Sequence, residues 1–170
     1  MKNKEIEKVK QDFMNSLQDP DIPEDEGNGE VEMGKNIWGL LTIESVGIDL
    51  PVATGGNFKS LYNSLIAYET DVLPPDKGNF VVAGHNGSCP VCTFRYLHDV
   101  NIGDEVFLQS KKQTMKYEIY DSFFVMNDDL WVLDPIEDES TLTLLTCRYS
   151  SWTNPERLIV RARLVEVIDN

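Results

Sequence analysis

A strand-like run from Thr141 to Cys147 delivers a single cysteine to its last position, and this run constrains the fold more than any other stretch. Its residues alternate, so that even-numbered side chains point to one side of a sheet and odd-numbered ones, Cys147 included, point to the other. A thiol at a strand end, just before a polar loop, is poorly placed for core packing and well placed for chemistry. Two other strand-like runs also carry a polar residue at one end. His85 directly follows residues 79–84, and Arg157 is the first residue of the last run.

Short strands separated by turn residues fill the chain from residue 36 onward. The sequence predicts a helix over residues 57–65 and a short helix or turn over residues 93–100. It predicts an acidic loop over residues 126–139. The predicted strands are residues 37–43, 48–52, 79–84, 105–109, 115–125, 140–147 and 157–167. Seven or eight short strands without repeats predict an all-β domain that closes, or nearly closes, into a barrel.

The acidic residues are concentrated near the start of the chain. The net charge is −14, and residues 18–32 contribute seven acids and no base. This balance argues against nucleic acid and against an anionic membrane surface as direct partners. Residues 4–17 are read equally well as a short amphipathic helix or as a frayed stalk, and residues 18–32 as a solvated linker. We therefore expect a stalk and linker over residues 1–32 and one globular domain over residues 33–170.

Three motifs together resemble the sortase family. They are the sequence Thr-Leu-Leu-Thr-Cys ending at Cys147, the sequence Glu-Arg-Leu-Ile-Val that contains Arg157, and the sequence Ala-Gly-His-Asn that contains His85. They occur in the family's order, and the resemblance covers roughly residues 36–167. Sortases are cysteine transpeptidases that attach surface proteins to the Gram-positive cell wall or join pilins. The resemblance implies an eight-stranded β-barrel with a few short helices, and the class A or class D type is favoured over pilin polymerisation.

The three polar residues suit one reaction. A cysteine attacks as its thiolate, which an electropositive neighbourhood stabilises. His85 is a suitable acid and base, and Arg157, which stays protonated, is suited to hold a substrate backbone or an oxyanion. Taken singly, the residues have a simpler interpretation, with Cys147 a small buried apolar residue, His85 a turn residue and Arg157 a surface charge. Their combination favours catalysis.

The resemblance also implies a substrate. Cys147 is expected to cleave a Leu-Pro-x-Thr-Gly-like sorting signal between Thr and Gly and to pass the acyl group to an amine of the cell-wall cross-bridge or of a pilin. Thr146 is expected to touch substrate, and the backbone N–H of Arg148 to complete an oxyanion hole. The loop 126–139 offers four apolar contacts that serve barrel packing equally well: Leu130, Trp131, Val132 and Leu133. A cysteine hydrolase and a non-catalytic β-barrel binding module are the rival functions.

Cys89 and Cys92 form a Cys-x-x-Cys pair that is not part of the general family pattern. The pair is open to three readings: a disulfide outside the membrane, a dithiol, or a zinc site with His85 and His98. Zinc is the least favoured reading, because it would consume the histidine that the reaction needs.

Glu69, Asp71 and Asp76 precede the histidine strand, where some sortases bind calcium. Three acids within eight residues suit a hard cation, although solvated carboxylates are the favoured interpretation in so acidic a chain. No cofactor is required by the predicted chemistry.

No apolar run in the chain approaches the ~20 residues of a membrane helix. Because sortases are normally anchored by an N-terminal segment, we expect that such an anchor has been removed. We expect the full-length protein to act on the extracytoplasmic face of the membrane.

Overall fold

Eight β-strands close into a barrel in the computed structural model, which describes residues 11, 37–54, 65–68, 73–86, 93–148 and 155–169. The strands are β1 (Ile37–Ile43), β2 (Ile48–Ala53), β3 (Leu65–Ala67), β4 (Gly78–Ala83), β5 (Glu105–Ser110), β6 (Gln113–Met126), β7 (Ser140–Cys147) and β8 (Glu156–Asp169). Their order around the barrel is β1-β2-β3-β4-β7-β8-β6-β5. Among the described residues, three short 3₁₀ helices, Glu44–Val46, Leu97–Asp99 and Leu130–Leu133, lie in the connections. The predicted all-β barrel is confirmed.

The neighbours of β7 determine which strand ends meet. Strand β4 pairs with β7 in parallel, with Ala83 opposite Leu145. Strand β8 pairs with β7 on its other side in the antiparallel sense, with Arg157 opposite Cys147. The ends of β4 and β7 and the start of β8 therefore lie at the same end of the barrel.

The barrel encloses the larger of two apolar clusters. Alternation along β7 and β8 sends Leu142, Leu144, Leu158 and Val160 inward, where they join side chains from the other strands. These include Leu41, Val52, Phe80, Leu108, Met115 and Tyr117. This cluster, called here the inner core, fills the barrel as a packed interior.

A second apolar cluster lies on the outer face of β4, β7 and β8. It contains Val81 and Ala83 of β4, Leu145 and Cys147 of β7, and Ile159 of β8. The connection between β6 and β7 covers it with Val132 and Leu133, and Val125 joins it at the end of β6. This cluster, called here the outer cluster, makes β7 a strand that is buried on both faces.

The predicted elements are largely observed, with one correction. Leu65, predicted as the end of a helix, lies in β3, and the rest of that predicted helix falls on residues outside the described ones. Strand β3 has three residues, all buried, so it offers no alternation from which a strand could be predicted. The 3₁₀ helix Leu97–Asp99 confirms the short helical segment expected there.

The stalk and linker predicted for residues 1–32 lie outside the described residues, except for Gln11. The side-chain Nε2 of Gln11 donates to the carbonyl oxygen of Asn127 at 2.8 Å. Within the described part of the chain, no helix has the length and apolar character that crossing a bilayer requires.

Candidate active site

Cys147 and Arg157 are cross-strand partners. They stand directly opposite each other at the last pair of the antiparallel β7–β8 ladder. Directly opposed residues of such a pair have Cβ atoms about 5 Å apart, so the thiol and the guanidinium stem share one face. Both are buried: Cys147 is 3% exposed and Arg157 is 0% exposed.

His85 reaches the same place from the other side of β7. The Gly84 N–H donates to the Leu145 carbonyl at 3.1 Å, which carries the parallel β4–β7 ladder one residue beyond β4. Continuing this register puts His85 opposite Cys147, on the face that Ala83 and Leu145 share. The histidine is 2% exposed. The structure therefore brings the predicted thiol and guanidinium together on the outer face, with the buried His85 at the same end of the barrel.

Gly84 is required by close packing just before the histidine. A Cβ atom there would lie 2.5 Å from Oγ1 of Thr93 and 2.7 Å from Cδ2 of Leu65. The Gly84 carbonyl also accepts a hydrogen bond from Oγ1 of Thr146 at 2.7 Å. Thr146 is completely buried, on the opposite face of β7 from Cys147. Its observed contact holds the histidine segment to β7, and its predicted contact with substrate stays a prediction.

Burial and charge act in opposite directions on the thiol. Burial raises the pKa of Cys147, and the nearby Arg157 guanidinium lowers that pKa. Burial likewise lowers the pKa of Arg157, and Cys147 raises it. The electropositive neighbour that a thiolate needs is therefore present, but the apolar surroundings favour the neutral thiol at rest.

The expectation that a thiol at this strand end is poorly placed for packing is wrong. Cys147 packs in the outer cluster, because the β6–β7 connection covers a face that the local sequence marks as open. The alternative reading of Arg157 as a surface charge is wrong for the same reason.

The backbone N–H of Arg148, predicted to serve an oxyanion, is already engaged. It donates to the Glu156 carbonyl at 3.1 Å. The side chains form an ion pair as well, with Nη1 of Arg148 2.6 Å from Oε2 of Glu156. The Arg148 guanidinium also lies 4.2 Å from the centre of the Phe124 ring. An oxyanion role for this N–H would require its bond to Glu156 to be given up.

The four apolar residues at 130–133 divide into two pairs. Val132 and Leu133 are buried in the outer cluster, and Leu130 is partly buried against it. Trp131 is 50% exposed and stacks on Phe123, with ring centres 5.7 Å apart. Packing therefore accounts for Val132 and Leu133 and in part for Leu130, whereas Trp131 is left half-exposed at the surface of the outer cluster.

A buried polar network holds this 3₁₀ helix against the barrel. The Nδ2 of Asn79 donates to the carbonyls of Val132 and Asp134, at 3.0 and 2.9 Å. The Nη2 of Arg161 donates to the Val132 carbonyl at 3.2 Å, and its Nε donates to Oγ1 of Thr143 at 3.3 Å. Thr143 in turn donates to Oδ1 of Asn79. These contacts fix the cover of the outer cluster.

Asn86 was not singled out from the sequence. Its Nδ2 donates to the Cys147 carbonyl at 2.7 Å and to the Arg148 carbonyl at 3.1 Å. Its one sequence signal is its place directly after His85.

The predicted cysteine pair and most of the predicted calcium site fall outside the described residues. Cys89, Cys92, Glu69 and Asp71 belong to that part of the chain, and Asp76 is described. Across the described ranges, no group of three or more His, Cys, Asp or Glu side chains is arranged to hold a metal ion. The imidazole of His98, the remaining member of the zinc reading, lies 3.3 Å from the Asp99 carboxylate.

Comparison with known proteins agrees with the fold. The sortase domain family model matches residues 41–165. A sortase A of Bacillus anthracis is 26% identical over 163 residues, which cover 95% of this chain and 75% of the relative. A sortase D of Bacillus subtilis is 26% identical over 129 residues, or 75% of this chain and 63% of that relative.

Solved structures give the same result. The structure of a Clostridium perfringens sortase D5 transpeptidase superposes with a TM-score of 0.69 at 28% identity, covering 95% of this chain and 99% of that one. The segment that matches the family model runs from β1 to β8 and includes His85, Cys147 and Arg157. The chain therefore belongs to the sortase family of cysteine transpeptidases.

Proposed function

We propose that this chain cleaves an LPxTG-like sorting signal between Thr and Gly and transfers the new acyl group from Cys147 to an amine. The observation that carries the proposal is the pairing of Cys147 with Arg157 across β7 and β8, with His85 directly after Gly84, whose N–H donates to β7. A nucleophile, a proton carrier and a fixed cation at one buried edge are the groups that acyl transfer through a thioester needs.

In the first half-reaction, the neutral imidazole of His85 takes the proton of the Cys147 thiol, and the resulting thiolate attacks the carbonyl carbon of the Thr residue. The negative charge that develops on the carbonyl oxygen is stabilised by the Arg157 guanidinium, which is held in place before the reaction begins. The C–N bond to Gly then breaks, and the imidazolium of His85 gives its proton to the departing amine. The product is a thioester on Cys147 and a released C-terminal fragment.

In the second half-reaction, an amine attacks the thioester carbonyl. His85, now neutral, takes a proton from the attacking nitrogen, and the C–S bond breaks to regenerate Cys147. Arg157 stabilises the negative charge on the oxygen of the second tetrahedral intermediate, as it does in the first. The chemistry uses protein groups alone, and calcium at Glu69, Asp71 and Asp76 would be an addition to it.

The surface beside the site supports an extended peptide substrate. Leu130 and Trp131 lie at the exposed side of the 3₁₀ helix that covers the outer cluster, and we assign the apolar part of the signal to them. The acceptor amine comes from a peptidoglycan precursor or a pilin. We place the full-length enzyme on the extracytoplasmic face of the membrane, held by an anchor, and group it with class A or class D sortases.

The test is a Leu-Pro-x-Thr-Gly peptide library, assayed with and without an amine acceptor on the unaltered chain and on Cys147→Ala. We expect cleavage and amine-dependent ligation by the unaltered chain and loss of both in the variant. Because the chain has three cysteines, the double variant Cys89→Ser/Cys92→Ser is the matched control, and a thiol-directed peptide inhibitor should still label its Cys147.

The rival functions give different results in the same experiment. Cleavage that an amine neither accelerates nor diverts would identify a hydrolase. Absence of both cleavage and labelling would indicate a binding module, and turnover by Cys147→Ala would exclude the thioester.

A further inference from the structure

Two buried asparagines stand at the two ends of β4 and make the same kind of contact. Asn79, near the start of the strand, donates both amide hydrogens to main-chain carbonyls of Val132 and Asp134. Asn86, three residues beyond the strand, donates to the carbonyls of Cys147 and Arg148. Asn79 is 5% exposed and Asn86 is 9% exposed. The first asparagine holds the cover of the outer cluster, and the second holds the chain that carries the thiol.

Asn86 acts where the main-chain pairing of β4 and β7 stops. Rungs of a parallel ladder recur at every second residue, and the last observed one joins Gly84 N–H to the Leu145 carbonyl. The next rung would end on the Cys147 carbonyl. The side-chain amide of Asn86 occupies that carbonyl instead, at 2.7 Å, and reaches the following carbonyl as well.

We propose that Asn86 is a positioning residue, which sets the place of the Cys147 sulfur relative to the His85 imidazole. This inference rests on the proposed function. The planar amide presents two hydrogens at a fixed angle to two consecutive carbonyls, so it fixes both the distance and the twist of the chain that bears the thiol. Asn86 directly follows His85, so the same backbone segment carries the imidazole and its link to the nucleophile.

The expected consequence is on the chemical step more than on substrate binding. A displacement of about 1 Å between reacting groups can cost about 100-fold in rate. Removing the amide would also take these donors from two carbonyls, one buried and one partly buried, which destabilises the fold. The second effect is common to Asn79, so Asn79 is a matched control with the same residue type, similar burial and the same number of donated bonds.

The experiment measures kcat, KM and thermal unfolding for Asn86→Ala, Asn86→Gln and Asn79→Ala with a sorting peptide and an amine. For Asn86→Ala we expect kcat to fall about 10- to 100-fold with KM within about threefold. For Asn79→Ala we expect KM to rise and kcat to stay within about threefold, because its bonds support the substrate side. Both alanine variants should lose similar thermal stability.

Asn86→Gln distinguishes two roles of the amide: positioning the thiol, and merely donating hydrogen bonds to the two carbonyls. It keeps both donors and the fold but moves them by one methylene, so we expect about a tenfold lower kcat. An unaltered kcat in Asn86→Gln would overturn the proposal, as would equal losses of kcat in Asn86→Ala and Asn79→Ala. If Asn86→Ala does not fold, the glutamine variant decides alone.

Site-resolved alkylation of Cys147 as a function of pH gives a readout that needs no substrate. In Asn86→Gln the end of β7 that carries Cys147 should move away from Arg157. Because the Arg157 charge lowers the pKa of the thiol, the pH of half-maximal alkylation should then rise. An alkylation profile of Asn86→Gln identical to that of the unaltered chain would contradict positioning. If the unaltered chain cleaves no sorting peptide, the proposed function fails and alkylation still decides the role of Asn86.

Discussion

The two faces of β7 are both buried, but they are built differently. On the inner face, Leu142 and Leu144 pack among aliphatic and aromatic side chains that fill the barrel. On the outer face, Leu145 and Cys147 share their surroundings with the buried Arg157. The inner core closes on itself, whereas the outer cluster depends on a cover from the β6–β7 connection.

This difference separates stability from chemistry. Burying polar groups is costly unless they are paired, and a buried charge is costlier still. The outer face accepts that cost at Asn79, Thr143 and Arg157, and it is the face that carries the Cys147 thiol. Substitutions on the inner face should therefore change stability first, and those on the outer face should change activity first.

The strongest test of this difference between the two faces is Arg157→Met, which keeps a long side chain and removes the charge. We expect kcat/KM to fall about 1000-fold, roughly 4 kcal/mol of transition-state stabilisation, because the developing oxyanion loses its cation. The free energy of unfolding, measured in urea, should be unchanged or higher, since replacing a buried charge with an apolar side chain is often neutral or stabilising. Arg161→Met is the control for loss of a nearby arginine, and an equal loss of activity there would contradict the role given to Arg157.

Adjacent leucines on β7 provide the next test, because Leu144 faces the inner core and Leu145 the outer cluster. Each leucine-to-alanine change should lower the free energy of unfolding by about 2–5 kcal/mol. At a temperature where both variants are folded, Leu144→Ala should keep its kcat, and Leu145→Ala should lose several-fold. Equal kcat values would show that the outer cluster supports the thiol no more than the inner core does.

Much of the barrel was predictable from local patterns. Alternation in residues 141–147 assigned the two faces of β7 correctly. His85 was singled out by its place directly after a strand-like run, and the N–H of the preceding Gly84 donates to β7. These features depend on strand periodicity and motif order, both of which a sequence displays directly.

The missed features depend on contacts between distant residues. Cys147 is buried because residues 130–133 pack over the face that carries it. No residue near Cys147 in the sequence predicts this packing. The asparagines were missed because their hydrogen-bond partners are main-chain carbonyls 53 to 62 residues away in the sequence. Such carbonyls carry no sequence signature. The engagement of the Arg148 N–H by Glu156 likewise follows from the antiparallel pairing of β7 with β8.

Alkaline unfolding offers a test confined to the inner core. Burial raises the pKa of Tyr117 from 10.0 to about 12, so the unfolded chain releases this proton more readily than the folded one. Stability should fall by roughly 1.4 kcal/mol per pH unit as the pH rises from 10 towards 12, and be unaffected by this group below 10. Tyr117→Phe should remove that part of the pH dependence in urea melts. A pH profile identical to that of the unaltered chain would show that Tyr117 does not govern alkaline stability.

The smallest expected effect concerns the surface of the cover, at Trp131. Half of this side chain is exposed, whereas its neighbour Val132 is buried in the outer cluster. Trp131→Ala should raise KM for the sorting peptide about fivefold, near 1 kcal/mol of apolar contact, and leave kcat unchanged. Val132→Ala should instead lower the unfolding free energy by about 1–3 kcal/mol, since a buried aliphatic contact is lost. Steady-state kinetics and urea melts on both variants decide the matter: an unaltered KM in Trp131→Ala would reduce the role of Trp131 to its stacking on Phe123, and the peptide would then have to bind elsewhere on the outer face.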